Sequence, residues 1–124
     1  MAGLTLDAGA LIAYERGDAR VRGILATAYA RGFLPTIPAI ALAEVWRGDA
    51  KDARVARLLK ASSIEAVDER SARETGRLRR ATPRSGTIDA CIAVGVRKRG
   101  DAIATSDPDD MRTLLGPGFT ILAV

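Results

Sequence analysis

The chain contains no histidine and a single cysteine, Cys91, among its 124 residues. Without histidine or a set of cysteines, the sequence lacks the ligands that zinc prefers, and a lone cysteine cannot form an internal disulfide. This cysteine usage agrees with a reducing compartment, so we expect a cytoplasmic protein. A hydrolytic metal site in this chain would have to be built from oxygen ligands, which suit Mg²⁺ or Mn²⁺.

Long apolar runs and aromatic residues are also scarce. The N-terminal segment MAGLTLDAGALIAYERG has no basic leader and its apolar run is interrupted by Asp7, so we expect neither a signal peptide nor a membrane span. Aromatic residues make up 4% of the chain, which gives no indication of a base-stacking surface. The composition, 48% hydrophobic and 27% charged, is typical of a globular protein, and the length predicts one domain over residues 1–124.

The balance of charge is positive. The 19 basic residues exceed the 15 acidic ones, which gives a net charge of +4, and most of the basic residues are arginine. A positive charge favours a polyanionic partner, and arginine is suited to bidentate contacts with phosphate. Codon bias in a GC-rich genome would produce the same arginine content, so composition leaves both explanations open.

Hydrophobic patterning predicts strands that alternate with helices. The predicted strands cover residues 4–6, 34–38, 63–67, 101–106 and 119–124. The predicted helices cover residues 10–17, 18–31, 40–48, 51–60, 68–81, 87–100 and 108–116. Such alternation favours an α/β fold with a central, mostly parallel sheet flanked by helices.

Two acidic residues directly follow predicted strands. Asp7 follows the first strand, and Asp107 follows the strand that ends at Ser106. Ligands of open parallel sheets bind at the carboxyl ends of the strands, so we expect both carboxylates at that edge. Each also has a structural explanation, because Asp7 could cap the next helix and the segment DPDD that starts at Asp107 is typical of a helix N-terminus.

Two further acids lie inside apolar helical segments. Glu44 is the only charged residue of the segment IPAIALAEVW, so it would lie at a helix edge or face a cleft. Asp89 shares a predicted helical face with Ile92, Ala93 and Val96. An unpaired charge there costs on the order of several kcal/mol unless a metal or a partner compensates it. Alternatively, Asp89 is a favourable acid in the first turn of its helix.

These four carboxylates would repel one another if the fold brought them together. A like-charged pair about 4 Å apart costs roughly 4 kcal/mol at an effective dielectric of about 20. A divalent cation would replace this repulsion by coordination, and it can lower the pKa of a water molecule and polarise a phosphoryl oxygen. The residues therefore predict a metal-dependent nuclease that cleaves the phosphodiester backbone of RNA or DNA.

Four ordered segments resemble motifs of the PIN-domain ribonucleases, particularly the small VapC-like toxins of bacterial toxin-antitoxin pairs. They are LDAGALIAYERG at the start, AEVWRG around Glu44, GTIDACIA around Asp89 and TSDPDDM around Asp107. The resemblance extends from Leu4 to the closing strand. It implies a three-layer α/β/α PIN fold, Mg²⁺- or Mn²⁺-dependent endonucleolytic cleavage of RNA by a metal-activated water, a homodimer, and inhibition by a cognate antitoxin.

The resemblance also implies which residues form the site. The acidic positions of the family, which bind the metal and take part in catalysis, correspond to Asp7, Glu44, Asp89 and Asp107 in this chain. Thr105 corresponds to the hydroxyl residue that accompanies the last acid. Asp109 and Asp110 are close enough to Asp107 in sequence to compete for the last position.

Arginines recur at helical spacing in the predicted helix 68–81. Arg73, Arg77 and Arg80 would lie on one face and could contact the phosphate backbone of RNA. A solvated helix face would show the same pattern, and two glutamates lie among these arginines. The sequence leaves both interpretations open.

Other enzyme classes lack their motifs in this chain. Asp7 is followed by Ala8 and Gly9 rather than by the second aspartate of a dehalogenase-type phosphatase, and neither a P-loop nor a GxGxxG fingerprint is present. The remaining alternative is a PIN-like domain that does not cleave but binds RNA or another protein. The intact set of four acids favours the nuclease.

Overall fold

The computed structural model describes residues 3–124 as alternating strands and helices. The strands are β1 (Leu4–Leu6), β2 (Thr36–Pro38), β3 (Ser63–Glu65), β4 (Ala102–Thr105) and β5 (Ile121–Ala123). The α-helices are α1 (Ala8–Glu15), α2 (Ala19–Ala30), α3 (Ala39–Val45), α4 (Ala53–Lys60), α5 (Glu69–Ala81), α6 (Thr87–Arg99) and α7 (Pro108–Leu115). Met1 and Ala2 lie outside the described residues. They are the first two residues of the N-terminal segment for which we expect no signal peptide.

The strands form one sheet in the order β3-β2-β1-β4-β5, and each neighbouring pair is parallel. β1 lies at the centre, with Leu6 opposite Ala104 of β4 and Thr5 opposite Thr36 of β2. This register places the residues that follow β1 beside those that follow β4. The architecture confirms the predicted three-layer α/β/α fold, with a parallel sheet flanked by helices.

The core lies between the sheet and the helices on its two faces. Its side chains come from every part of the chain, and they include Leu4, Leu6, Leu11, Val21, Ile37, Val55, Ile92, Val96, Ile103 and Met111. The short central strands are buried on both faces, as expected for a parallel sheet covered by helices. Within residues 3–124, none of the helices combines the length and the apolar character needed to cross a membrane.

The predicted helix over residues 40–48 is too long. α3 ends at Val45, and Trp46 has an extended backbone with a ψ of 128°. The next amides donate to a carboxylate instead of a helix carbonyl, because Asp52 accepts from Arg47 at 3.1 Å and from Gly48 at 2.6 Å. A side chain several residues downstream therefore ends the helix. The predicted strands after β1 also extend past the observed ones.

A partly buried polar network anchors the C-terminal end of α6 to the sheet. Arg99 donates to Asp101 at 2.8 Å and to the hydroxyl of Thr5 at 2.9 Å, and it forms an ion pair with Glu65. The Thr5 hydroxyl in turn donates to Asp101 at 2.7 Å. One guanidinium thus connects α6 to β1, to β3 and to the start of β4. Because Asp89 lies in the first turn of α6, this network fixes the helix that carries it.

Gly9 allows the start of α1 to approach the end of β4 closely. A Cβ atom at this position would lie 2.5 Å from the Cβ of Ser106 and 3.2 Å from its backbone nitrogen. Real side chains do not tolerate the first of these distances, so a larger residue would push α1 and the β4–α7 connection apart. The same two segments carry Asp7 and Asp107.

We expect Gly9→Ala to destabilise the protein by about 1–3 kcal/mol, because the added methyl group overpacks this contact. The double variant Gly9→Ala/Ser106→Gly removes the Ser106 side chain and should recover part of that loss. Urea unfolding of both variants and of Ser106→Gly alone would give the coupling between the two positions. Independent, additive effects would contradict the proposed contact.

Candidate functional site

The carboxyl edge of the sheet brings the ends of β1 and β4 together. The amide of Asp7, the first residue after β1, donates to the carbonyl of Ala104 in β4 at 3.2 Å. On the other side of β4, the amide of Val124 donates to the carbonyl of Thr105 at 2.9 Å. The expectation that Asp7 and Asp107 lie at one edge is therefore met by the backbone pairing itself.

Asp7 is buried and caps α1. Its Oδ1 accepts a hydrogen bond from the amide of Ala10 at 2.8 Å, which satisfies one of the free donors at the start of the helix. Burial raises the pKa of the Asp7 carboxyl above its usual range, and the charge of Asp107 adds to this rise. The Thr105 hydroxyl and the Ala10 amide act in the opposite direction. Asp7 can therefore cap α1 and also bind a metal, because the capping hydrogen bond uses only one of its carboxylate oxygens.

Asp89 lies half-buried in the first turn of α6, whose next buried residues are Ala90, Ile92 and Ala93. Desolvation raises the pKa of its carboxyl, and the charges of Asp107, Asp7 and Asp110 raise it further. These three residues lie in the segments that directly follow β1 and β4. The raised pKa therefore agrees with the free-energy cost that the sequence predicts for a charged carboxylate at position 89.

Asp107 occupies the N-cap position of α7, but its side chain makes no capping hydrogen bond. Its backbone amide instead donates to the hydroxyl oxygen of Thr105 at 2.9 Å. Thr105 is fully buried, so it fixes the backbone from which the exposed side chain of Asp107 projects. The capping explanation of Asp107, which its sequence favours, is not realised.

Three carboxylates converge at this edge of the sheet, those of Asp89, Asp107 and Asp110. We call these three residues the acidic group. Each contributes an oxygen that lies within 4.8 Å of the others. Asp110 follows Asp107 by one helical turn, whereas Asp109 forms an ion pair with Arg112. A set of carboxylate oxygens at this spacing fits a hard divalent cation such as Mg²⁺, which keeps several water ligands and does not need a complete protein cage.

Glu44 lies outside the acidic group. It is exposed near the end of α3, a helix that packs against α1 and α6 through residues such as Ala41 and Val45. This exposure is compatible with both alternatives for Glu44, a helix edge and an open cleft. Of the four acids expected as one cluster, Asp89 and Asp107 converge with Asp110, and the charge of Asp7 acts on Asp89 from close by.

Two other buried acids have structural roles. Asp52 accepts backbone amides that follow α3, as described above, and it takes part in a capping box with Asp49. Asp101 accepts the Thr5 hydroxyl and the Arg99 side chain. The spacing of Asp49 and Asp52 is a sequence signal for the first role, whereas the partners of Asp101 could not be inferred from local sequence.

The arginines expected to contact RNA differ in their surroundings. Arg73 pairs with Glu69 at 2.8 Å across one turn of α5, and Arg70 pairs with Glu74 at 3.6 Å. Arg77 and Arg80 form no ion pair with any carboxylate in residues 3–124. Exposed pairs within a helix contribute little, so pairing does not exclude Arg73 from binding a phosphate.

We expect Asp89→Asn to raise the melting temperature of the metal-free protein at neutral pH. The pKa of Asp89 is higher in the folded state than in the unfolded chain, so its contribution to stability is lost as the pH rises through the folded-state pKa. The asparagine carries no charge and avoids this loss. The gain should therefore vanish below the ordinary aspartate pKa of 3.8. Thermal unfolding in EDTA across a pH series measures the difference.

Asp109→Asn provides the matched control, because Asp109 is exposed on α7 and lies outside the acidic group. It should show no comparable gain at neutral pH. Equal gains in the two variants would contradict the assignment of the repulsion to the acidic group.

Comparisons with known proteins give one family and one fold. The model of the PIN domain family matches residues 4–114. The fold is similar to VapBC2 from Rickettsia felis bound to a DNA fragment from its promoter, with a TM-score of 0.78, 14% identity and 98% of each chain covered. It is similar to DNA-bound VapBC from Salmonella typhimurium, with a TM-score of 0.73, 20% identity, and 99% of this chain and 98% of that chain covered.

A toxin-antitoxin complex from Klebsiella pneumoniae has a TM-score of 0.76 and 18% identity, with 98% of this chain and 97% of that chain covered. Comparison with curated proteins by sequence found no match. At these identities the structural likeness concerns the fold. The match to the family model over nearly the whole length, together with this fold, establishes that the chain belongs to the PIN domain family.

Proposed function

We propose that this PIN domain is a Mg²⁺- or Mn²⁺-dependent endoribonuclease and the toxin of a toxin-antitoxin pair. The observation that carries the proposal is the convergence of the acidic group, with Asp7 beside it, at the carboxyl edge of the sheet in a member of this family. The raised pKa values of Asp7 and Asp89 support it, because titratable groups with perturbed pKa values are concentrated at functional sites.

The cation would be held by Asp89, Asp107 and Asp110, with Asp7 as a further ligand. When bound, it supplies positive charge to the phosphate oxygens and lowers the pKa of water. Asp89, half-buried in the first turn of α6, would orient the attacking water or accept its proton at a carboxylate oxygen that the cation leaves free. Thr105 acts as a positioning residue, because it holds the backbone of Asp107.

The remaining predicted contacts lie on α3 and α5. Glu44 remains a predicted ligand from α3, although it lies outside the acidic group. Arg73, Arg77 and Arg80 on α5 remain the predicted contacts to RNA. The positive net charge of +4 favours association with a polyanion at a site that is itself acidic.

The partners follow from the family and from the complexes with the same fold. Three proteins with a similar fold are components of toxin-antitoxin complexes, which supports a cognate antitoxin for this chain. We extend the proposal to a cytoplasmic homodimer in which residues 1–124 form a single PIN domain. A short open reading frame beside the gene, encoding a protein that suppresses growth arrest on co-expression, is the expected genetic signature.

Purified protein should cleave structured RNA in the presence of Mg²⁺ or Mn²⁺ but not in EDTA. We expect Asp7→Asn and Asp89→Asn to abolish cleavage while the fold is retained, since asparagine can still cap α1 at position 7. Glu44→Gln should weaken cleavage by about tenfold to a hundredfold, as observed for residues that support a metal site. Gel analysis of a pool of structured RNAs at saturating metal measures all three.

Asp109→Asn is the matched control for this assay, because it makes the same chemical change on α7 outside the acidic group. It should cleave like the wild type. Wild-type rates in Asp89→Asn would remove Asp89 from the mechanism. If no protein cleaves under any metal, growth arrest on expression would indicate a narrow RNA specificity, and its absence would indicate the alternative, a non-cleaving RNA-binding or protein-interaction module.

Mg²⁺ should raise the melting temperature of the wild type, because only the folded state brings the carboxylates together. At about ten times its Kd the ion would add roughly 1.4 kcal/mol, which corresponds to a shift of a few degrees. Asp110→Asn should reduce the shift and Asp109→Asn should not. Melting curves that do not change at millimolar Mg²⁺ would contradict a preformed metal site.

A further inference from the structure

α5 and α6 enclose a groove that is separate from the acidic group. The two helices are joined by residues 82–86 and pack against each other, so the C-terminal end of α5 lies beside the N-terminal end of α6. Three cationic side chains and three apolar ones line the groove: Arg77, Arg97, Lys98, Leu78, Ala81 and Val94. Its volume of about 510 Å³ exceeds what an inorganic ion needs and lies in the range of ligand sites.

The cations of this α5–α6 groove are only partly balanced by acids, since Glu74 lines the groove and Asp68 lies near Lys98. Arg77, Arg97 and Lys98 form no ion pair with a carboxylate of the described chain. Glu74 is the only acid that lines the groove, and it pairs with Arg70 at 3.6 Å. Three like charges around one concave surface repel one another, and an anion in the groove would relieve that repulsion.

The helix dipole explains only part of this arrangement. Cations in the last turn of α6 stabilise the partial negative charge at its C-terminus, which accounts for Arg97 and Lys98 taken alone. It does not account for Arg77, which lies in the interior of α5 and contributes its side chain to the same groove. Lys98 also lies near Asp68, whose pKa is lowered mainly by the amide and hydroxyl of Ser71 and only secondarily by Lys98.

The groove and the acidic group are connected by α6. Asp89 lies in the first turn of this helix and Arg97 in its last turn, about 12 Å away along the axis at 1.5 Å per residue. A few nucleotides of single-stranded RNA span such a distance. The aliphatic floor of Leu78, Ala81 and Val94 offers no hydrogen-bond donors or acceptors from its side chains, so the groove has no means to read base edges there.

We infer that the α5–α6 groove binds the phosphate backbone of the RNA strand on one side of the cleavage site, with Arg77, Arg97 and Lys98 as the contacting residues. The inference rests on the proposed function for the identity of the polyanion. Contacts of these cations to phosphate carry no sequence information, so the groove would add affinity for any sequence.

The test measures binding rather than cleavage. Fluorescence anisotropy with a fluorescein-labelled, mixed-sequence single-stranded RNA is recorded in EDTA as a function of salt, with Asp89→Asn as the parent protein. Arg77→Gln/Arg97→Gln/Lys98→Gln should weaken binding about tenfold at low salt and reduce the slope of log K against log salt by about 2, since each single-strand phosphate contact contributes about 0.7.

The matched control removes the same charges elsewhere. Arg20→Gln/Arg31→Gln/Lys60→Gln replaces two arginines and one lysine at exposed positions on or next to α2 and α4, so both triple variants lose three of the charges that make up the net +4. The control should retain nearly the full slope. Arg77→Lys/Arg97→Lys keeps the charge and should restore binding, which separates an electrostatic role from a loss of folding that melting curves would also detect.

Equal salt slopes for the two triple variants would overturn the inference. A parent protein that does not bind the RNA would also overturn it, and an acidic peptide would in that case be the next ligand to test. The proposed function fails separately. If the wild type does not cleave RNA but the groove variants still lose binding, the groove is a polyanion site on a non-cleaving module. If the wild type cleaves and the slopes are equal, the nuclease stands and the groove assignment falls.

Discussion

The parallel pairing of β1 with β4 is the constraint on which the candidate site depends. It places the first residue after β1 within hydrogen-bonding distance of Ala104, and so brings Asp7 beside the segment that carries Thr105 and Asp107. Gly9 permits the two connections to approach, and Arg99 holds the far end of α6 so that Asp89 meets them. The backbone thereby forces together carboxylates that would separate if they were free to do so.

The convergence of these carboxylates lowers the free energy of unfolding, because the charged side chains repel one another and are partly desolvated. The pKa values of Asp7 and Asp89 are raised, so the folded state disfavours the very charges that a metal ligand needs. The fold compensates elsewhere with interactions that have no part in the site, such as the Asp52 cap and the network of Thr5, Arg99 and Asp101. A site that is costly in the apo protein and relieved by a cation is expected where function, and not folding, selects the residues.

Sequence patterning was sufficient for the fold and for the placement of Asp7, Asp89 and Asp107 close to one another. The positions of Asp7 and Asp107 followed from strand ends, and that of Asp89 from the apolar face of its helix. The patterning could not decide among Asp107, Asp109 and Asp110, because the role of an acid in the segment DPDD depends on side-chain geometry and not on its place in the sequence. It also missed the early end of α3, because the amides that follow this helix donate to the side chain of Asp52, several residues downstream.

The contrast between an acidic site and a basic chain has a physical consequence for substrate binding. An RNA phosphate is repelled by the carboxylates of the acidic group, so without a cation the edge of the sheet opposes the substrate it would cleave. Under the proposed function, cationic side chains elsewhere on the surface, such as Arg77 and Arg80, would supply part of the attraction that brings RNA to this edge. A site of this kind needs a cation to offset its carboxylates and a cationic surface elsewhere to attract a polyanion, so the acidic group and the basic surface depend on each other in the proposed function.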